Sequence, residues 1–429
     1  MQNIEKPKSQ KERIFTPYQI FIISILAILQ FTIILDFMVL SPLGAILMDK
    51  LTISASAFGW VVSVYAFSAG VSGMLAAGFA DKFDRKKILL FFYTGFIIGT
   101  FLCGIAPDYY FLLIARTVTG IFGGVMGSVT FAIVTDMFRM EVRGRVMGFI
   151  QTAFAASQVM GIPMGLYLAN HWGWHSPFLL IVGLSVVIIV SIIIYMKPID
   201  GHLKIQSDRS PLQHLRKTIS KPDYLRGFAA TILLATGGFM MMPFGSAFSV
   251  HNLGISLDQL PLVYMVTGIC SMIAGPFLGK LSDRFGKYTI FFMGSVLSMI
   301  IVGYYCNLGV TPLWVVIVLN VLLFIGISSR IISSSALMSA VPEPQDRGAF
   351  MSINASIQQI AGGIASVIAG LIVVQTNTGA LENYNILGYV VIGASIITLF
   401  MMYFINKLVN NKLIERKESM EALANLKSA

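Results

Sequence analysis

Charged side chains are scarce in this sequence, and their scarcity excludes most classes of protein. Asp, Glu, Lys and Arg make up 12% of the 429 residues, about half of the roughly 25% that is usual in a soluble domain. Apolar residues make up 56% of the chain. This is about 240 positions, and twelve membrane helices of about 20 residues would use about that number. A soluble enzyme and a disordered chain are excluded, and the long continuous runs are unlike the alternating strands of a membrane β-barrel.

Reactive side chains are also few. The three cysteines, Cys103, Cys270 and Cys306, lack the spacing of a metal or redox motif. The sequence has no zinc-ligand spacing, no Ser/His/Asp grouping and no glycine-rich nucleotide loop. We therefore expect no enzyme activity, no cofactor and no bound metal. Any work that the protein does across a membrane would draw on an ion gradient or on the gradient of its substrate.

The apolar residues group into twelve segments, which predicts an all-α membrane protein with 12 transmembrane helices. The predicted segments are 18–40, 57–80, 88–106, 109–136, 143–170, 176–196, 224–250, 259–280, 287–306, 312–336, 346–374 and 385–406.

Lysine and arginine are sorted between the two sides of these segments. Of the 30 basic residues, 27 lie in the two tails or in connections that follow even-numbered segments. Cytoplasmic loops carry such an excess, so we expect a multi-pass protein of the inner (plasma) membrane with both termini in the cytoplasm. The net charge of +10 then reflects topology rather than a nucleic-acid partner, and anionic lipid head groups are a possible second partner.

A long polar connection and two repeated motifs divide the chain into halves. Residues 78–87 (GFADKFDRKK) match residues 279–288 (GKLSDRFGKY) at a distance of 201 residues, and Arg143-Gly144 matches Arg347-Gly348. Two pseudo-symmetric six-helix bundles are expected, with the substrate between them. The predicted parts are a cytoplasmic tail (1–17), a first bundle (18–196), a cytoplasmic linker (197–223), a second bundle (224–406) and a cytoplasmic tail (407–429).

These motifs resemble those of the major facilitator superfamily, whose loop between spans 2 and 3 reads roughly G-x-L-x-D-R-x-G-R-K. The first copy departs from it in having Lys82 for Arg and Asp84 for the second Gly, and the second copy is nearly complete. The resemblance implies that these charges gate the cytoplasmic face. The residues assigned to gating are Gly78, Asp81, Arg85, Lys86, Asp136, Arg143, Gly279, Asp283 and Arg284.

The gating hypothesis makes specific expectations of three charges. Asp81 would face the positive N-terminus of span 11, and Asp283 that of span 5. Arg85 would pair with Asp136 at the end of span 4. Such contacts would exist only while the cytoplasmic face is closed and would favour the outward-open state. The alternative is a charge run that merely stops membrane transfer.

Span 5 carries Gly161, Pro163 and Gly165, which resemble the superfamily's antiporter signature except that Ile162 separates the first Gly from the Pro. Proline kinks a helix, and we expect the glycines to permit tight packing against the other half. The resemblance favours efflux over uptake. Because Pro and Gly are common in membrane helices, ordinary packing is the alternative.

Three charged residues lie well inside spans, away from their ends: Asp36, Arg116 and Arg330. Drug-efflux members of the family often carry an acid in span 1, so Asp36 is the predicted proton site, with Arg116 modulating it. The alternatives are a solvated Asp36 near the outer mouth and an Arg116 that snorkels to the membrane surface. Arg330 would bind an anionic substrate group, pair with a cytoplasmic-side partner or snorkel inward.

Polar and flexible residues in the spans are candidates for lining a substrate cavity. They are Gln30, Gln158, Phe239, Met242, Phe244, Asn320, Arg330, Asn354 and Gln358. Ordinary packing is the alternative for each.

The resemblance to the 12-span drug:proton antiporter and sugar-efflux branch implies proton-coupled efflux of small amphiphilic compounds by alternating access. The alternatives are an exporter of sugar, lipid or another metabolite, a proton symporter, and a non-transporting receptor. Expected partners are a small-molecule substrate, protons and membrane lipids, with no nucleic acid and a monomeric state.

Overall fold

The computed structural model describes residues 15–76, 82–204, 218–343, 346–376 and 379–428, and these are almost entirely helical. The first half contains α1 (Pro17–Val39), α2 (Gly44–Leu51), α3 (Ala55–Ala76), α4 (Arg85–Gly104), α5 (Tyr109–Met137), α6 (Met140–Ala156), α7 (Ile162–Trp172) and α8 (Ser176–Tyr195). The second half contains α9 (Pro222–Met241), α10 (Gly245–His251), α11 (Leu260–Phe285), α12 (Lys287–Tyr305), α13 (Leu313–Ala340), α14 (Arg347–Ile372) and α15 (Tyr384–Ser428). Short helical turns cover Gly201–Lys204 and Met242–Phe244, and a two-residue hairpin of β1 (Val374–Gln375) and β2 (Leu381–Glu382) joins α14 to α15.

Eleven helical segments in the described part of the chain are long and apolar enough to cross a membrane. The fifth predicted span falls instead on α6 and α7, which are joined by the π turn Ser157–Gly161. The all-α membrane fold is confirmed, and twelve crossings stay a prediction because the broken segment is not one continuous apolar helix. The last helix continues past position 406, where a tail was predicted, to Ser428.

Local sequence signals explain where several helices begin. Thr16 accepts a hydrogen bond from the Gln19 backbone amide, and the Gln19 side chain accepts one from the Thr16 amide, with Pro17 in the first turn of α1. Asp84 and Asp108 accept bonds from first-turn amides of α4 and α5. Each cap satisfies backbone donors that a helix start leaves free.

The two halves pack along two pairs of helices. In the first pair, α3 lies along α14, and in the second, α11 lies against α7 and the π turn. A Cβ atom built on Gly59 would lie 2.9 Å from the carbonyl oxygen of Ser366, so the α3–α14 pair depends on a missing side chain. We call the end of the bundle that holds Arg85, Arg143, Lys221, Lys287 and Arg347 the basic end, and the other the opposite end.

Candidate functional site

A buried ion pair lies in the first half, where α1, α3, α4 and α5 meet. The Arg116 Nη1 atom is 2.8 Å from Asp36 Oδ2, and the two side chains are 1% and 0% exposed. Thr100 donates a hydrogen bond to Asp36 Oδ1 over 3.2 Å. The Arg116 guanidinium lies 4.4 Å from the centre of the Tyr65 ring. Four helices therefore contribute side chains to the ion pair and its immediate surroundings.

The burial of both charges decides between the alternatives for Asp36 and Arg116. An unpaired charge inside a membrane costs about 2.5–3.5 kcal/mol or more, so two such charges are expected to find each other. A solvated Asp36 and a snorkelling Arg116 are wrong, because neither side chain reaches the surface. The pair is not fully saturated, since Arg116 Nε has no hydrogen-bond partner among the described residues.

The glycines of the span-5 motif pack closely against α1 on either side of Asp36. A Cβ atom on Gly161 would lie 2.6 Å from Leu35 Cδ1, and one on Gly165 would lie 2.6 Å from Val39 Cγ2. The prediction that these glycines pack against the other half is wrong, because they pack against α1 of their own half. They allow α7 to approach the helix that carries Asp36.

The helix of span 5 is broken before Pro163, and the π turn at the break contacts both α1 and the second half. Proline has no amide hydrogen to donate, and wide π turns are a common accommodation in a broken helix. Ser157 in this turn donates to the Phe31 carbonyl of α1 over 3.3 Å. On its other side, a Cβ atom on Gly268 of α11 would lie 3.1 Å from the Gln158 carbonyl oxygen. The turn is thus a junction between α1 and the second half.

Hydrogen bonds join the two halves at the opposite end, just beyond Asp36. Ser41 donates to the Met242 carbonyl, Ser246 donates to the Ser41 carbonyl over 2.9 Å, and the Ala45 amide donates to Ser246 Oγ over 3.4 Å. The segments involved are 41–45 (SPLGA) and 242–246 (MPFGS), which align at the same 201-residue offset as the loop motifs. Ser41 therefore meets its own equivalent, Met242, and Ala45 meets Ser246, as expected where a pseudo-twofold axis passes through a contact. The repeated Pro-x-Gly could have indicated this contact from sequence, but it was not among the predicted motifs.

Further contacts close the opposite end. Asp49 Oδ2 lies 3.6 Å from His251 Nε2, and Asn170 donates to the Leu257 carbonyl over 2.8 Å. Phe244, predicted to line the cavity, is fully buried there and lies edge-on to Phe58 with ring centres 6.2 Å apart. That prediction is wrong in this conformation, because Phe244 belongs to the contact between the halves.

The basic end of the first half is held by its own charges. The expected Arg85–Asp136 pair is present, with Nε 2.8 Å from Oδ2. Arg143 donates to the carbonyls of Phe138 and Thr135 at the end of α5, and Lys86 donates to those of Ile193 and Met196 at the end of α8. These bonds stay within the first half, so the expectation that they require a closed basic end is wrong for them.

The second copy of the loop motif is exposed. The Asp283 side chain is 74% exposed and pairs with Lys287 four residues along, rather than with the start of span 5 as expected. Arg284 is exposed beside the Phe285 ring, and Gly279 has no atom within 4 Å of its ideal Cβ position. Gly78 and Asp81 lie outside the described residues. The exposure of Asp283 and Arg284 agrees with halves that meet at the opposite end and part at the basic end.

The other cavity candidates divide into bonded and free side chains. Asn320 donates to the Val316 carbonyl of its own helix, and Asn354 accepts from Thr231 over 2.6 Å. The buried Gln30 Oε1 has no partner among the described residues. Gln158 and Met242 are half-buried and Gln358 is exposed. Phe239 lies 5.9 Å from Phe37 across the two halves, measured between ring centres.

Arg330 differs from Arg116 in having no carboxylate beside it. It is 8% exposed, makes no ion pair or hydrogen bond with any described residue, and lies 6.0 Å from the centre of the Phe291 ring. The expected cytoplasmic-side partner is therefore not found in the described part of the chain, and inward snorkelling is wrong because the side chain is buried.

Comparisons with known proteins agree with this architecture. The sequence model of the Major Facilitator Superfamily matches residues 26–248 and 227–428. The uncharacterized MFS-type transporter YceJ of Bacillus subtilis is 27% identical over 267 residues, which cover 62% of this chain and 68% of the relative. Multidrug resistance protein 3 of the same organism is 32% identical over 151 residues, which cover 35% of this chain and 30% of that protein.

Two solved structures show the same fold. A bacterial homolog of the human lysosomal transporter Spinster, in an inward-facing and unoccupied conformation, has a TM-score of 0.69 at 15% identity and covers 92% of this chain and 97% of that one. The nucleoside transporter NupG has a TM-score of 0.70 at 14% identity and covers 90% of this chain and 99% of that one.

Proposed function

Because the chain belongs to the Major Facilitator Superfamily, a family of membrane transporters that are not enzymes, we propose that it exports small amphiphilic compounds in exchange for protons. The observation that carries the proposal is the buried Asp36–Arg116 pair. Asp36 is the only carboxylate that lies well inside an apolar span, and a carboxylate can take up and release a proton where a buried guanidinium cannot. Intramembrane acids in transporters commonly carry protons.

The position of the pair supports coupling between proton uptake and movement of the halves. A proton on Asp36 would remove the charge that holds Arg116, and breaking one side of a buried pair costs about 3–5 kcal/mol. Asp36 lies five residues before Ser41, which bonds to the second half. A shift of α1 would therefore move Ser41 and its hydrogen bonds to the second half at the opposite end. A change of about 4 kcal/mol in the free-energy difference between the two conformations changes the ratio of their populations by about a thousandfold.

The orientation of the cycle is also a proposal. With the basic end in the cytoplasm, as the lysine and arginine distribution indicates, the described conformation is open inward. Asp36 would then be protonated from outside in the other conformation, and substrate and proton would compete before the return. The bundles 18–196 and 224–406 would be the two moving bodies, with the linker 197–223 between them.

The names of the relatives support export without fixing the substrate. Multidrug resistance protein 3 favours a drug exporter. The nucleoside transporter NupG keeps a metabolite transporter as the second candidate. Proton symport of such a metabolite would show proton and substrate moving in the same direction.

A basic cleft supports lipids as a further partner of a monomeric protein. A cavity of about 500 Å³ at the basic end is lined by Arg226, Lys407 and Lys412 and by apolar side chains such as Phe404 and Leu408; Asp223 also lines it and pairs with Arg226 and Lys412, which leaves Lys407 as the basic residue that Asp223 does not pair with. Basic pockets beside membrane helices suit anionic lipid head groups. Thermal stability in nanodiscs with and without phosphatidylglycerol tests this partner, and replacing Lys407 with Met should reduce the stabilising effect of that lipid.

The export proposal is tested with purified protein in proteoliposomes. Uptake of labelled drugs and metabolites is measured with and without a proton gradient, for wild type, Asp36→Asn and the matched control Asp258→Asn. Asp258 is an exposed carboxylate at the opposite end. We expect the gradient to drive transport by wild type and by the control but not by Asp36→Asn. Gradient-driven transport by Asp36→Asn at the wild-type rate would contradict the proposal.

A further inference from the structure

The two buried arginines that lie well inside membrane-spanning helices of the described chain, Arg116 and Arg330, differ in their surroundings. Arg116 has the Asp36 carboxylate at 2.8 Å. Arg330 lies in α13 among α9, α12 and α15 and has no ion-pair or hydrogen-bond partner in the described ranges, and its Nε atom is buried without a bond. The first half thus carries a neutral pair inside the membrane, whereas the second half carries an unbalanced positive charge.

In the described part of the chain, no carboxylate lies within ion-pair distance of Arg330. Apart from Asp36, every Asp and Glu lies in a tail, in a connection or close to a helix end. The nearby hydroxyls bond to carbonyls of their own helices, as Ser329 does to Ile325 over 2.8 Å and Ser334 to Ile331 over 3.2 Å. A guanidinium keeps its charge in a protein, so the cost of burial remains unless an anion from outside the chain offsets it.

The guanidinium faces a glycine of α9, Gly237. A Cβ atom on Gly237 would lie 3.6 Å from Arg330 Nη2, 3.8 Å from Nη1 and 3.8 Å from Ser395 Oγ. No side chain intervenes between α9 and these three polar atoms. At the next position, Gly238, an ideal Cβ atom would meet nothing within 4 Å. The α9 backbone therefore approaches both terminal nitrogens of Arg330 with no side chain of Gly237 between them.

We propose that Arg330 binds the carboxylate of the transported compound, so that the substrate class is small organic acids with an apolar body. This inference rests on the proposed transport function and names its substrate class. The planar fork of Arg330 suits two parallel hydrogen bonds to a carboxylate. Ser395 supplies a further hydroxyl beside the same position of α9, and the Phe291 ring, 6.0 Å from the guanidinium, supplies apolar surface.

The proposal makes a prediction about stability that separates it from a purely structural role. Replacing Arg330 with Met removes an unpaired buried charge, so the unliganded variant should be at least as stable as wild type. The same change removes the group that binds the carboxylate. Loss of charge-assisted hydrogen bonds should weaken binding by at least about tenfold.

The experiment measures thermal unfolding of purified full-length protein in detergent, without a proton gradient. The probes are benzoate, phenylacetate and hexanoate, with benzamide as the neutral counterpart of benzoate and with inorganic phosphate. The variants are Arg330→Met, Arg330→Lys and the control Arg145→Met, which removes an exposed arginine.

We expect at least one carboxylate to raise the unfolding temperature of wild type and of the control, and benzamide not to do so. Arg330→Met should lose this response while keeping or gaining stability, and Arg330→Lys should retain a weakened response. Three results would each overturn the proposal: no carboxylate stabilises wild type, Arg330→Met responds as wild type does, or phosphate alone stabilises through Arg330. Because this is a binding measurement, it is independent of whether Asp36 couples transport to protons.

Discussion

Replacing Asp36 and replacing Arg116 should lower the stability of the protein by different amounts. In Asp36→Asn the Arg116 charge stays buried with no anion beside it. In Arg116→Gln the remaining carboxyl group can neutralise itself by binding a proton, which a guanidinium cannot do. The two single substitutions delete the same ion pair, but only the first one strands a permanent charge.

The structure sets the size of the effect. Breaking a buried pair from one side costs about 3–5 kcal/mol. The amide oxygen that Asp36→Asn introduces would still accept a bond from Arg116, where the wild-type distance is 2.8 Å, so we expect about 3 kcal/mol for this variant, at the lower end of that range. For Arg116→Gln we expect about 1–2 kcal/mol, the cost of a lost hydrogen bond. The double variant Asp36→Asn, Arg116→Gln, which closes the cycle with the two single variants, should recover most of the stability.

The assay is reversible unfolding of the purified protein in mixed detergent, with the coupling energy taken from the double-mutant cycle. A coupling energy of about 2 kcal/mol or more is expected for residues in direct contact. Equal losses in both single variants, or a double variant as unstable as the sum of the two, would refute the electrostatic reasoning. Transport should stay absent in the stable double variant, because the proton site is gone.

Three further predictions concern the contact between the halves at the opposite end, the helix broken before Pro163 and the ion pairs at the basic end. In a variant without native cysteines, a disulfide between Ala45→Cys and Ser246→Cys should stop transport, and a reductant should restore it, because these residues contact each other across the halves; transport that continues in the cross-linked protein would contradict alternating access at this end. Gly161→Val should abolish transport through its clash with α1, whereas Gly183→Val, where nothing lies within 4 Å, should leave it near the wild-type rate; equal effects would refute the packing argument. The Asp346 carboxylate raises the pKa of Lys221, and a raised folded pKa gives stability that is complete below about pH 10 and lost only above it. Melting curves of wild type and Lys221→Met should therefore differ by a constant amount between about pH 6 and 9, and a gap that closes within this range would contradict the assignment.

The fold could be predicted because its signals are long and local. Apolar runs, the sorting of basic residues and the repeated loop motif each extend over many positions. One irregular element, the π turn at Ser157–Gly161, was not predicted. Its cause is the combination of Pro163 with packing against both α1 and α11, and packing cannot be read from one segment.

The candidate site was predictable in its members but not in its arrangement. Asp36 and Arg116 stand out as charges in apolar surroundings, yet they are 80 residues apart, and sequence alone does not give the depth or rotation of two helices. The same limit explains why the span-5 glycines were assigned to the wrong neighbour. For Arg330 the informative feature is a missing partner, which only the structure can show.

The central claim is that Asp36 couples substrate export to proton entry. The most direct measurement uses proteoliposomes loaded with a pH-sensitive dye, with substrate added on one side and no gradient imposed. We predict that substrate movement by wild type drives protons the opposite way, and that Asp36→Asn moves no protons. Proton movement by Asp36→Asn equal to that of wild type, or protons that follow the substrate in wild type, would contradict the account.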